Sequence, residues 1–94
     1  MTFKLSILPS AALDFDEIYS YYKIINPQIA TDFKTSSKIN IERLHLNPYL
    51  FQIKYDTIRV VRIDGFPYLI HYEIFESNVI LHAILHASRD SKKQ

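Results

Sequence analysis

The stretch IRVVRIDGFPYLIHYEIFESNVILHAILHA, residues 58–87, decides the fold. It is crowded with β-branched and aromatic residues, and turn-forming residues gather only at Asp64-Gly65 and at Glu76-Ser77-Asn78. That punctuation predicts three strands, over 58–63, 67–75 and 79–87, joined by short turns into an antiparallel meander. Gly65, the chain's one glycine, falls in the turn where a positive φ is most needed. In the middle strand Tyr68, Ile70, Tyr72 and Ile74 alternate with Leu69, His71, Glu73 and Phe75. The first set makes the better core face, so the second is expected on the open side of the sheet.

Working back from the meander, the pattern changes its period. Residues 50–56 read as a connection with a short extended stretch. Before them Ala30, Phe33, Ser37, Ile41 and Leu44 share one face of a helix whose opposite face carries Lys34, Lys38 and Glu42. Asn26 and Pro27 read as its cap and first residue, and Asn47-Pro48 as its stop. A preceding helix carries Phe15, Ile18, Tyr22 and Ile25 as a stripe. Ser10 is its expected N-cap, with Asp14, Asp16 and Glu17 placed early, where the helix dipole favours negative charge. His45 reads as a cation at the end of the second helix. A strand over residues 3–8 opens the chain and is expected to join the sheet. The two helices, separated by a single Asn-Pro step, should form a hairpin over one face of the sheet. The fold class is α+β, with β-αα-βββ order and an antiparallel sheet. Residues 1–90 form one domain and residues 91–94 a polar tail.

Composition narrows the function. The chain has 94 residues, 48% apolar and 22% charged, and no cysteine, which excludes disulfides and cysteine-bound metals. Its apolar N-terminal stretch is too short for a signal peptide and nothing approaches a membrane span, so a cytoplasmic location is expected. Net charge is only +1, but it is uneven: residues 34–94 hold nine basic and six acidic side chains. A modest basic patch of this kind suits phosphate or an acidic protein. His82 and His86 do not make a metal site. Four residues apart on a strand they stand about 13 Å apart, too far for two bonds of about 2 Å to one ion. No metal and no cofactor is expected.

The succession DFDEIYSYY, a proline-started helix, HLNP, IRVVRIDGFPYLIHYEI and ILHASRD resembles the RelE/ParE superfamily of bacterial toxins, in its plasmid stabilisation branch. The resemblance runs from about Leu5 to Lys92. It implies a toxin of a type II toxin–antitoxin system, growth-inhibiting, bacterial, and neutralised by a small cognate antitoxin. Members of the superfamily divide between cutting messenger RNA on the ribosome and poisoning DNA gyrase.

The residues bear on that division. Cleavage by a 2′-hydroxyl needs a base, an acid and cations around the phosphorane, roles that His and Arg fill near neutral pH. If the chain is a nuclease, His86, Arg89 and His71 are the catalytic candidates. Arg59, Arg62, Arg89 and Lys92 are the candidates for holding a phosphate or a target, although Arg59 and Arg62 have opposite parity and cannot share a face. The nucleases of the superfamily carry an arginine in the middle strand, another after the last strand, and often a terminal tyrosine. Arg89 matches the second, but Leu69 stands at the first and the chain ends Ser-Lys-Lys-Gln. ParE-like target binding, with DNA gyrase as a candidate target, is therefore favoured. The alternatives are a RelE-like endoribonuclease using His and Arg on the open sheet face, and a non-toxic remnant that still binds antitoxin. His86 and Arg89 are expected at the rim of that open face.

Overall fold

The computed structural model of the chain describes residues 2–90, the last two by their backbone alone. The order is β1 (Lys4–Ile7), α1 (Pro9–Ile25), α2 (Pro27–Leu46), a 3-10 turn (Pro48–Leu50), β2 (Ile53–Tyr55), β3 (Ile58–Arg62), β4 (Tyr68–Phe75), β5 (Asn78–His86) and α3 (Ala87–Asp90). The expected β-αα-βββ order is present, with one strand more than expected. Part of the 50–56 connection pairs with β3 as β2, giving a five-stranded sheet in the order β1-β5-β4-β3-β2. The meander is antiparallel, whereas β1 runs parallel to β5, with Leu5 opposite Val79 and Ile7 opposite Leu81, so the sheet is mixed.

Local chemistry explains the helix ends. Asn26 caps α2 as its sequence suggests, its side chain accepting from the Gln28 N–H at 2.9 Å, with Pro27 at the first helical position. The start of α1 differs from expectation. Pro9 already occupies the first turn and Leu8 the cap position, so Ser10 lies inside the helix and no acidic residue falls in the first turn. Freed from capping, the Ser10 hydroxyl donates to the carbonyl of His82 at 2.7 Å. Gly65 takes φ +85° in the β3–β4 turn, a value that only glycine adopts freely. The Ser36 hydroxyl donates to the Asp64 carbonyl at 2.7 Å and ties this turn to α2.

Both long helices pack on one face of the sheet. Phe33 is fully buried at the centre, its ring 5.4 Å from Phe15, 5.6 Å from Tyr22 and 5.2 Å from Phe66. Beneath these rings lie Val61, Ile63, Ile70, Tyr72, Val79, Leu81 and Ile84. Ile25, assigned to the apolar stripe of α1, is instead exposed at the hairpin tip. His45 donates from Nε2 to the carbonyl of Phe3 at 2.6 Å, joining the end of α2 to β1.

Candidate functional site

One irregularity in β5 decides where its histidines go. Tyr72 stands opposite Leu81, but His71 stands opposite Ala83, so His82 is an extra residue, a β-bulge. Side chains alternate with period two, so one extra residue reverses the parity beyond it. Val79 and Leu81 before the bulge, and Ile84 and His86 after it, therefore share the helix-covered face, with His86 opposite Tyr68. The expectation that His86 reaches the open face is corrected: the bulge turns it inward. Its Nδ1 accepts from the N–H of Ser88 at 3.1 Å and lies 2.8 Å from the Ser88 hydroxyl, while its ring meets Tyr68 edge-on at 5.3 Å. A ring nitrogen that accepts an amide N–H carries no proton, which places the proton of the neutral ring on Nε2.

His71 does lie on the other face, yet it is only 2% exposed and shares a 2.9 Å hydrogen bond between Nδ1 and the Tyr55 hydroxyl of β2. The two arginines of β3 separate as their parity requires. Arg59 is paired with Tyr72 on the core side, donates to the Phe51 carbonyl at 2.5 Å, and stacks over Tyr49 at 5.1 Å. Its cation is committed to holding the 3-10 turn on the sheet. Arg62 is exposed on the open face opposite Leu69. The backbone of Arg89 belongs to α3; its side chain, and Lys92, lie outside the described residues.

The open face also carries a hydrogen-bond chain that the sequence did not announce. His82 Nε2 donates to Glu73 Oε1 at 2.7 Å, and the Thr57 hydroxyl donates to Glu73 Oε2 at 3.0 Å. The bond from His82, then that from Thr57, hold the Glu73 carboxyl below its ordinary range against a weaker opposing effect of burial. Around it Ile58, Val60, Leu69, Ile80 and Leu85 are half-buried. The face is more apolar than a phosphate-binding surface needs. Among the described residues no group of three or more His, Cys, Asp or Glu side chains is placed to hold a metal ion, and no helix is long and apolar enough to cross a membrane.

A second surface lies on the helix side. Between the first half of α1, the second half of α2 and β1 lies a groove of about 470 Å³. Its apolar lining includes Leu5 and Ile7 of β1, Ala11 and Phe15 of α1, and Ile41 of α2. Ile7 is 50% exposed here, a large aliphatic side chain left half open. Ser37 also lines the groove, 1% exposed, with no hydrogen-bond partner for its hydroxyl among the described residues. Asp16, Lys34, Lys38 and Glu42 complete the lining with charge. The sequence placed Ser37 on the buried face of α2 but gave no sign that its hydroxyl would be left over. Asp14 was likewise read as a dipole partner, whereas its Oδ2 accepts from the N–H of Ile84 at 3.0 Å.

Residues 5–91 match the model of the family described as ParE toxin of type II toxin–antitoxin system, parDE. No curated protein matches the chain. Among solved structures the chain is similar to one from a chromosomal ParDE toxin–antitoxin system of P. aeruginosa, at 17% identity and a TM-score of 0.79 over 90% of this chain and 96% of that one.

Proposed function

The chain belongs to the family of ParE toxins of type II toxin–antitoxin systems, and on that premise we propose that it stops growth by binding a macromolecular target, DNA gyrase foremost, and not by cutting RNA. One observation carries the reading: His71 and His86, the acid–base candidates, lie on opposite faces of the sheet. No single phosphate can meet both, and catalysis by a positioned acid and base requires that it does. Arg59 supports the same conclusion, since its guanidinium is engaged by Phe51 and Tyr49. A protein target suits the half-buried apolar residues around Arg62 and Glu73 on the open face.

A toxin of this family has an antitoxin partner, and the groove between α1 and α2 is where we place it. The groove is apolar at its floor and charged around it, as expected of a surface that receives an amphipathic segment. Lys34 and Lys38, one turn apart, with Asp16 and Glu42 in the same lining, favour a segment flanked by charges of both signs.

Induced expression without the antitoxin tests the target. Accumulation of cleaved gyrase–DNA complexes with intact transcripts is the expected result. New cuts inside translated messages, lost on His71→Ala or His86→Ala, would replace this reading with a nuclease. Unimpaired growth would leave an antitoxin-binding protein without toxicity.

A further inference from the structure

We infer that Ser37 acts as a specificity determinant of the groove, selecting an antitoxin segment that sets one hydrogen-bond acceptor among its apolar side chains. The inference rests on the groove being the antitoxin site and adds the chemistry by which it would choose.

Ser37 lies one turn after Phe33 and one turn before Ile41 on the inner face of α2. A serine inside a helix commonly turns its hydroxyl back to the carbonyl four residues earlier. Thr31 of the same helix does so, donating to the Pro27 carbonyl at 3.2 Å. Ser37 makes no such bond, and at 1% exposure water does not reach it freely. The apolar residues of the groove, Leu5, Ile7, Ala11, Phe15 and Ile41, offer no side-chain acceptor, and its two carboxylates, Asp16 and Glu42, make no bond to the hydroxyl. Among the described residues this buried donor thus has nothing to donate to, in a groove whose lining is apolar apart from Asp16, Lys34, Lys38 and Glu42.

Such a group discriminates strongly between partners. A wholly apolar segment would leave the hydroxyl as unmet as it is in the free protein. A segment that brings an amide oxygen, a hydroxyl or a bared carbonyl to this point would satisfy it. The difference corresponds to about 5-fold to 150-fold in affinity. A site built to bond a polar group rejects the analogue that lacks it far better than an apolar pocket rejects an extra methylene.

The experiment compares wild-type toxin, Ser37→Ala and Ala12→Glu. Each is titrated calorimetrically with the small protein encoded beside the toxin gene, and each free toxin is melted. Ser37→Ala should leave the free toxin at least as stable as wild type while weakening the complex about fivefold or more. This pairing of effects is diagnostic, because a serine bonded within its own chain would lower the melting temperature when removed. Ser37→Ala binding as tightly as wild type overturns the inference, and so does a free Ser37→Ala toxin that melts lower. Ala12→Glu, at the exposed edge of the groove, keeps the two levels apart. If it does not impair binding, the groove is not the antitoxin site and both readings fall. If it blocks binding while Ser37→Ala does not, only the role of Ser37 falls.

Discussion

Asp14 of α1 accepts a hydrogen bond from the backbone N–H of Ile84 at 3.0 Å, and in doing so replaces a strand. β1 pairs with β5 only as far as Leu81, while β5 continues to His86. From that point on, the cap residue of α1 and its first turns supply the partners. The Leu8 N–H donates to the Leu81 carbonyl at 3.0 Å, the Ser10 hydroxyl to the His82 carbonyl at 2.7 Å, and Asp14 accepts from Ile84. A helix laid along a sheet edge thereby satisfies backbone groups that would otherwise need water.

Asp14→Ala should therefore destabilise the fold by about 1–3 kcal/mol, the cost of a part-buried amide left unmet. Asp14→Asn keeps an oxygen acceptor and should lose much less. Urea denaturation measures both, and hydrogen exchange should accelerate at the Ile84 amide first in the alanine variant.

Tyr72 is fully buried and its hydroxyl donates to the Pro48 carbonyl at 2.7 Å. Tyr72→Phe should cost about 1–3 kcal/mol, since a buried carbonyl loses its donor. Burial pushes the phenol up to about 12, with Arg59 pulling weakly the other way. The folded state thus prefers the protonated ring. Its contribution is complete below the ordinary value of 10.0 and is lost as pH rises through about 12. Thermal melts between those limits should fall more steeply for wild type than for Tyr72→Phe.

The depressed Glu73 carboxyl predicts the opposite dependence. Its contribution is present above the ordinary value of 4.5 and is lost as pH falls below it, through the lower value of the folded state. Glu73→Gln should be destabilised by a few tenths to about 1 kcal/mol at neutral pH, as expected for a pair that remains partly exposed. The deficit should shrink in acid. Melting curves of the two proteins across pH 3–7 check it.

His86→Ala should retain growth inhibition on induction, because the ring is turned to the helix side and its Nδ1 is held by Ser88. Arg62→Ala, altering an exposed cation on the open face, should weaken inhibition. Colony counts after induction distinguish the two, provided that immunoblots show equal protein.

The architecture was legible where one residue type dominates its own surroundings. Asn26-Pro27, Gly65 and the alternation of 68–75 each have a single comfortable conformation, and each stands where the sequence put it. Features made by distant partners were hidden. Ser10 looks like a cap because serines often are; only the nearby carbonyl of His82 shows it engaged elsewhere. β2 was weak in the sequence because Ile53–Tyr55 is three residues long and exposed. The opposite parity of Arg59 and Arg62 was readable and held, since β3 is regular. The position of His86 was not readable, because nothing in VILHAILH marks where an extra residue enters the ladder.

That extra residue makes segment 81–83 forgiving of a shortening that a regular strand would not accept. Losing the codon for His82 would leave Leu81, Ala83 and Ile84 in unbroken alternation, with Ile84 still inside and Ala83 still outside. The same loss in the middle of β4, where no residue is spare, would roll everything beyond it onto the wrong face. A scan of single-codon deletions should find position 82 the most tolerant in the strand.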